Sequence, residues 1–178
     1  MNDLSLGQIC SIYATDKNCL HSYVDNVYED LFKDVRLSTK KLLEIGVDKG
    51  GSLFMWREYF PNALITGIDN KPCPQASNRE RIELVEGDAY NYEVADKIEG
   101  GFDIVIDDGS HTLESMTFLL LEYTKKIRAG GVLIIEDIPD FNWTNILRRQ
   151  VPEGFTTEVR DLRKFRNRYD DILMIFRN

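Results

Sequence analysis

The sequence predicts one α/β domain over residues 1–178, with a mostly parallel seven-stranded sheet, helices on both faces and an antiparallel last strand. Three observations carry that expectation. From Lys41 onward short apolar runs alternate with amphipathic stretches, the pattern of β-α-β units. Runs such as Ile104-Val105-Ile106 and Val132-Leu133-Ile134-Ile135 do not alternate polar with apolar, as strands covered on both faces do not. Glycine and proline pairs, Pro61-Asn62, Gly100-Gly101 and Gly130-Gly131, fall where a helix would stop before a strand.

The elements follow in order. Residues 1–38 form an N-terminal helical cover, with helical patterns over 4–14 and 23–32. The second places Tyr23, Val27, Tyr28 and Leu31 on one face. Strands are expected at 42–45, 64–68, 82–85, 103–106 and 132–135, and helices at 52–59, 113–128 and 142–149. The last two apolar runs, 155–159 and 172–176, are joined by a charged connection and pair antiparallel at one edge. Pro72-Cys73-Pro74 reads as a stiff loop.

Composition bounds the function. A chain of 178 residues, 43% hydrophobic and 29% charged, can bury roughly 70% of its unfolded surface, so disulfides and structural metals are unnecessary. Cys10, Cys19 and Cys73 are odd in number and widely spaced, as ordinary thiols of a reducing compartment would be. The 22 Lys and Arg against 30 Asp and Glu give −8, the wrong sign for a nucleic-acid binder. No run approaches the roughly 20 apolar residues of a membrane span, and no basic stretch precedes an apolar one at the N-terminus. A cytoplasmic protein without membrane or nucleic-acid partners is expected. Residues 148–178 depart from the average, with eight Lys and Arg against five Asp and Glu.

The chemistry concentrates at strand ends. Glu44-Ile45-Gly46 leads through Asp48 to Gly50-Gly51-Ser52, a strand, a glycine turn and a helix start, which either lets the backbone approach a ligand closely or only closes a strand-to-helix corner. A dinucleotide fingerprint would need glycine where Asp48 stands, and Asp48 with Glu44 would repel a pyrophosphate. An acidic turn suits a cofactor carrying positive charge, such as the ammonium and sulfonium of S-adenosylmethionine. Asp69, 23 positions beyond Gly46, can accept from two ribose hydroxyls, Asp88 beside Ala89 from an adenine amino group, and Asp107 ends its strand near the sulfonium.

A second constellation lies on the next two strand ends. Asp107-Asp108-Gly109-Ser110-His111 and Glu136-Asp137 converge at one rim, because neighbouring strands lie under about 5 Å apart. No Lys or Arg adjacent in sequence offsets these acids, so a hard divalent cation with oxygen ligands is the economical explanation. The alternative is solvated strand ends, or helix caps at Asp137 or Asp140.

These motifs, with the upstream Thr15-Asp16-Lys17, His21 and Tyr23, resemble the class I S-adenosylmethionine-dependent methyltransferases. Within them the chain is similar to the metal-dependent sugar O-methyltransferases of macrolide biosynthesis, the mycinamicin and macrocin type, and to the cephalosporin hydroxylase-like group. The resemblance covers about residues 13–138 and does not extend to the large N-terminal region of the macrolide enzymes.

It implies a Rossmann-like methyltransferase fold, Mg²⁺ held by Asp108, Glu136 and Asp137, and His111 as general base. It also implies a lid over the cofactor made by Thr15-Asp16-Lys17 and His21, with Thr15, Lys17 and Tyr23 as cofactor-binding residues, against the plainer reading in which Asp16 caps a turn and Tyr13, Tyr23 and Tyr28 pack helices. The acceptor is then a sugar hydroxyl in a glycan, a glycosylated small molecule or a nucleotide sugar. The alternatives are a catechol-like acceptor and a non-catalytic cofactor-binding subunit. A monomer or homodimer is expected, and the basic segment 148–178 either faces solvent or holds an acidic or phosphorylated acceptor.

Overall fold

In the computed structural model, which describes residues 4–13, 15–71 and 73–178, seven strands form one sheet in the order β3-β2-β1-β4-β5-β7-β6. The strands are β1 Lys41–Ile45, β2 Leu64–Asp69, β3 Ile82–Glu86, β4 Phe102–Asp107, β5 Ile127–Ile135, β6 Thr156–Asp161 and β7 Ile172–Arg177. The first five pair in parallel, and β7 runs antiparallel between β5 and β6. The expected mostly parallel sheet with an antiparallel last strand is what the chain forms.

Helices cover both faces because alternate strand residues point to opposite sides. Leu42, Ile65, Ile104, Ile106, Ile134 and Ile175 pack under the N-terminal helices and α3 (Gly51–Tyr59). Leu43, Ile45, Val105, Leu133, Ile135 and Phe176 pack under α4 (Tyr92–Ala95), α5 (Leu113–Glu122) and α6 (Trp143–Arg148). The N-terminal cover begins with α1 (Leu6–Cys10), started by a Ser5–Gln8 capping box. A π-helical turn at Val24–Tyr28 then runs into α2 (Glu29–Phe32).

The first face is held by an aromatic cluster. Trp56 meets Tyr28 and Phe32 edge-on at 5.5 and 5.8 Å, and its indole N–H donates to buried Glu44. Trp56→Ala is expected to cost about 3–5 kcal/mol in urea denaturation, because it opens a cavity and strips Glu44 of a donor. A cost under about 1 kcal/mol would show that this cluster does not hold the face.

Two boundaries differ from the sequence expectation. The expected helix over 113–128 ends at Glu122, followed by a 3₁₀ turn at Thr124–Lys126. Ile127 and Arg128 belong to β5: Ile127 pairs with Phe102, and the Arg128 guanidinium bonds Asp103 on β4. Gly130-Gly131 therefore lies inside a strand, where Gly130 at φ +76° accompanies the register shift against β4. The first helix is also shorter than the expected 4–14; Ala14, like Pro72 of the stiff loop, lies outside the described residues. The connection between the last strands contains a short helix, α7 (Arg163–Arg166). Among the described residues no helix is long and apolar enough to cross a membrane.

Candidate active site

The strand order reverses between β1 and β4, and at the carboxyl ends of the strands there opens a cavity of about 1030 Å³. Such switch points leave a crevice because the loops on either side depart in opposite directions. The turn after β1, the ends of β2 and β3, and the loop Asp108–His111 form its wall, with Asp137 after β5. Thr15, Asp16, Cys19 and Leu20 close it from the N-terminal side.

The glycine turn owes its shape to Asp69. Its Oδ2 accepts from the amides of Val47 and Asp48 at 2.8 and 3.2 Å, and its Oδ1 from Lys71 at 2.8 Å. Oδ2 is thereby filled, while Oδ1 keeps a further lone pair, and Asp69 lines the cavity. Gly46 at φ +84° is obligatory, since a Cβ there would lie 1.9 Å from the Asp108 carbonyl oxygen. Gly46, Gly51, Ser52, Asp69, Asp88 and Ala89 all line the cavity. Gly50 instead packs against Cys73 and Ala76, and Glu44 is fully buried, accepting from Ser52 Oγ at 2.7 Å. Asp107 is buried beneath the wall and accepts from the Tyr90 hydroxyl at 2.6 Å; burial pushes its carboxyl up to about 6.

At the other end, one oxygen each of Asp108 and Asp137 faces His111. His111 Nε2 lies 3.8 Å from Asp108 Oδ1 and 3.9 Å from Asp137 Oδ2, and ligand atoms of the three gather within 4.8 Å. Asp48, His111 and Asp137 all have positive φ, at +43°, +51° and +52°, a conformation non-glycine residues rarely take. Three of the six non-glycine residues with positive φ among the described residues lie around this one cavity.

Behind these acids stands a layer that the sequence did not reveal. Lys17, 1% exposed, donates from Nζ to Asp108 Oδ2 at 2.7 Å and to Glu136 Oε2 at 2.7 Å, with Glu44 Oε1 at 3.3 Å. The rim therefore has a counter-cation, supplied from 91 positions away in the sequence rather than from its own strand ends. Burial alone would lower the Lys17 ammonium, and Asp108, Glu136 and Glu44 together hold it up. Burial pushes Glu44, Glu136 and Asp137 up. The Tyr28 hydroxyl donates to Glu136 Oε1 and the Tyr23 hydroxyl to Asp137 Oδ1.

His21 Nδ1 sits 2.6 Å from Asp171 Oδ1 and 3.4 Å from Asp137 Oδ1. Of the upstream residues, Thr15 lies on the cavity wall, while Lys17 and Tyr23 reach the acids from beneath it. Tyr23 and Tyr28 are five residues apart, and the π turn between them brings both hydroxyls onto the adjacent pair Glu136-Asp137. That unusual spacing of two tyrosines is the signal that could have found them.

The basic C-terminal residues gather around α7. Arg163 bonds Asp161 and Arg168 bonds Asp170, while Arg166 donates to the Asn18 carbonyl at 3.1 Å.

A family model described as a methyltransferase domain matches residues 43–138. The chain is 35% identical over 149 residues to mycinamicin VI 2''-O-methyltransferase of Micromonospora griseorubida, covering 78% of this chain and 37% of that protein. It is 34% identical, with the same coverage, to 8-demethyl-8-(2-methoxy-alpha-L-rhamnosyl)-tetracenomycin-C 3'-O-methyltransferase of Streptomyces olivaceus. The chain thus spans little more than a third of these relatives' length. Among solved structures, MycE methyltransferase in complex with Mg, SAH and mycinamycin VI superposes with a TM-score of 0.70 at 35% identity, over 75% of this chain and 39% of that one. Another crystal of MycE, with Mg and SAH, superposes with a TM-score of 0.81 at 26% identity, over 99% of this chain and 55% of that one.

Proposed function

The chain belongs to the methyltransferase-domain family, and from that premise we propose that it methylates a sugar hydroxyl of a glycosylated small molecule, a glycan or a nucleotide sugar. The donor is S-adenosylmethionine, a divalent ion, Mg²⁺, assists, and His111 is the general base. One observation carries this reading: a single cavity has ribose-type acceptors at one end and an acid–histidine group at the other. The relatives support it, because those named are O-methyltransferases of glycosylated natural products.

The donor set suits a hard cation. Asp108 and Asp137 each keep one oxygen turned to His111 and the cavity, Oδ1 and Oδ2 respectively. Glu136, the third expected ligand, has both oxygens engaged, by Lys17 and Tyr28. When bound, the ion would supply Lewis acidity to an acceptor hydroxyl. His111, its side chain one-third exposed on the cavity, takes the proton of that hydroxyl as the oxygen attacks the methyl carbon. The bond from methyl to sulfur breaks, and its electron pair stays on sulfur.

At the donor end, Asp69 accepts from the ribose hydroxyls, Asp88 beside Ala89 meets the adenine, and the turn from Gly46 to Ser52 lets the backbone approach. Asp69→Ala is expected to weaken S-adenosylhomocysteine binding at least about tenfold by calorimetry, since each bond to a charged acceptor contributes about 1.5–3 kcal/mol. Unchanged affinity would remove Asp69 from the donor site. An acidic or phosphorylated acceptor would meet Lys164 and Arg166, the α7 cations that have no carboxylate partner among the described residues.

The test is transfer of a labelled methyl group to deoxysugar glycosides, nucleotide sugars and dihydroxyphenyl compounds, with Mg²⁺ and with chelator. Labelled glycoside or nucleotide sugar in Mg²⁺ alone is the expected result. Transfer to dihydroxyphenyl compounds only would overturn the sugar acceptor. Donor binding without any transfer would make the chain a cofactor-binding module.

A further inference from the structure

The rim that would hold a divalent ion already holds a cation of the protein's own. Lys17 Nζ has three carboxylate neighbours, at 2.7 Å from Asp108, 2.7 Å from Glu136 and 3.3 Å from Glu44, one for each of its three N–H bonds. Both glutamates are at most 1% exposed and could not stand unpaired there, because an uncompensated buried charge is strongly destabilising. The flanking residues Thr15, Asp16, Cys19 and Leu20 face the cavity, whereas Lys17 turns inward.

Glu136 shows what this arrangement does to a second cation. Its Oε1 takes the Tyr28 hydroxyl and its Oε2 the Lys17 ammonium. A divalent ion on Glu136 would stand within a few ångströms of that ammonium, in a region where water screens poorly and like charges repel strongly. Asp108 divides differently, with Oδ2 on Lys17 and Oδ1 toward His111. Asp108 and Asp137 each offer an ion an oxygen that carries no hydrogen bond, whereas both Glu136 oxygens are taken, so Glu136 is the carboxylate for which ion and ammonium compete most directly.

We propose that Lys17 is a resident counter-cation that competes with the divalent ion: it holds Asp108 and Glu136 together in the metal-free protein, and the ion gains Glu136 only as the ammonium withdraws. This rests on the metal reading given above. Lys17 is then a positioning residue that keeps the rim folded without metal and limits how tightly metal binds. The competition sets the sign of the test. A lysine that merely props its carboxylates would, once lost, leave them disordered and weaken metal binding; a competitor, once lost, strengthens it.

The probe is Mn²⁺ alone, without donor or acceptor. Wild type and Lys17→Met are titrated, with free Mn²⁺ read by electron paramagnetic resonance, and both are melted in chelator and in Mn²⁺. Lys17→Met is expected to bind Mn²⁺ about tenfold more tightly or better, to melt well below wild type in chelator and to recover in Mn²⁺. Equal or weaker binding by Lys17→Met overturns the competition and leaves the metal site standing. Binding by neither protein overturns both. Should Lys17→Met fold in neither condition, Lys17→Met/Glu136→Gln decides, since it removes one charge of each sign from the same contact. It is expected to fold and melt cooperatively in chelator, and failure to do so overturns the counter-cation role.

Discussion

His111→Ala is expected to lower kcat by about 10²–10⁴-fold, the range for loss of a general base, with S-adenosylhomocysteine affinity within about twofold of wild type. The geometry explains why one effect is large and the other small. The imidazole lies beside Asp108 Oδ1 and Asp137 Oδ2, on the acidic side of the cavity opposite Asp69, so its loss leaves the donor contacts in place. Its ring nitrogens approach those oxygens no closer than 3.8 Å, so truncation leaves no buried partner stripped of a hydrogen bond. The backbone is the complication, since His111 sits at φ +51° immediately before Thr112, the N-cap of α5. Alanine is strained there by about 1–2 kcal/mol, whereas asparagine tolerates the conformation. His111→Asn separates the two effects: it should melt close to wild type and be as inactive as the alanine variant. Either variant retaining more than about a tenth of wild-type kcat removes the base from His111, given the lower bound of the range.

The sheet was legible because its central strands are buried on both faces, and three consecutive β-branched residues such as Ile104-Val105-Ile106 have few other uses. The start of β5 was not. Ile127-Arg128 continues the apolar spacing of α5, and what makes it strand is pairing with Phe102 and the Arg128–Asp103 contact, both about 25 positions away. The same division runs through the site. Acids at strand ends can be read because strand ends meet at one edge. Their partners cannot: Lys17 lies 91 positions from Asp108 and 119 from Glu136, and Tyr28 lies 108 from Glu136. A search for counter-charge along the sequence stops short of them. Tyr28 is expected only to pack and Tyr23 either to pack or to meet the cofactor; both are buried in the core, and their hydroxyls reach the acids because the helix there is π rather than α.

Asp108→Asn is expected to abolish Mg²⁺-dependent turnover while leaving the metal-free protein as stable as wild type, or more so. The loss should be about 10³-fold or greater, because a metal contributes several kcal/mol to the transition state and each factor of ten in rate is worth about 1.4 kcal/mol. Stability moves the other way for an electrostatic reason. The Asp108 charge pushes up the carboxyls of Glu44, Glu136 and Asp137, so neutralising it relieves three like-charge contacts at once. The substituted amide oxygen can still accept from Lys17, which also keeps Glu136 and Glu44, so no ammonium is left bare. An unchanged or raised melting temperature in chelator, beside lost Mn²⁺ binding and lost turnover, is the signature of a residue kept for chemistry at the expense of the fold. A large drop in melting temperature would instead make Asp108 a structural anchor for Lys17. Full activity of the wild-type protein in excess chelator would remove the metal from the reaction altogether.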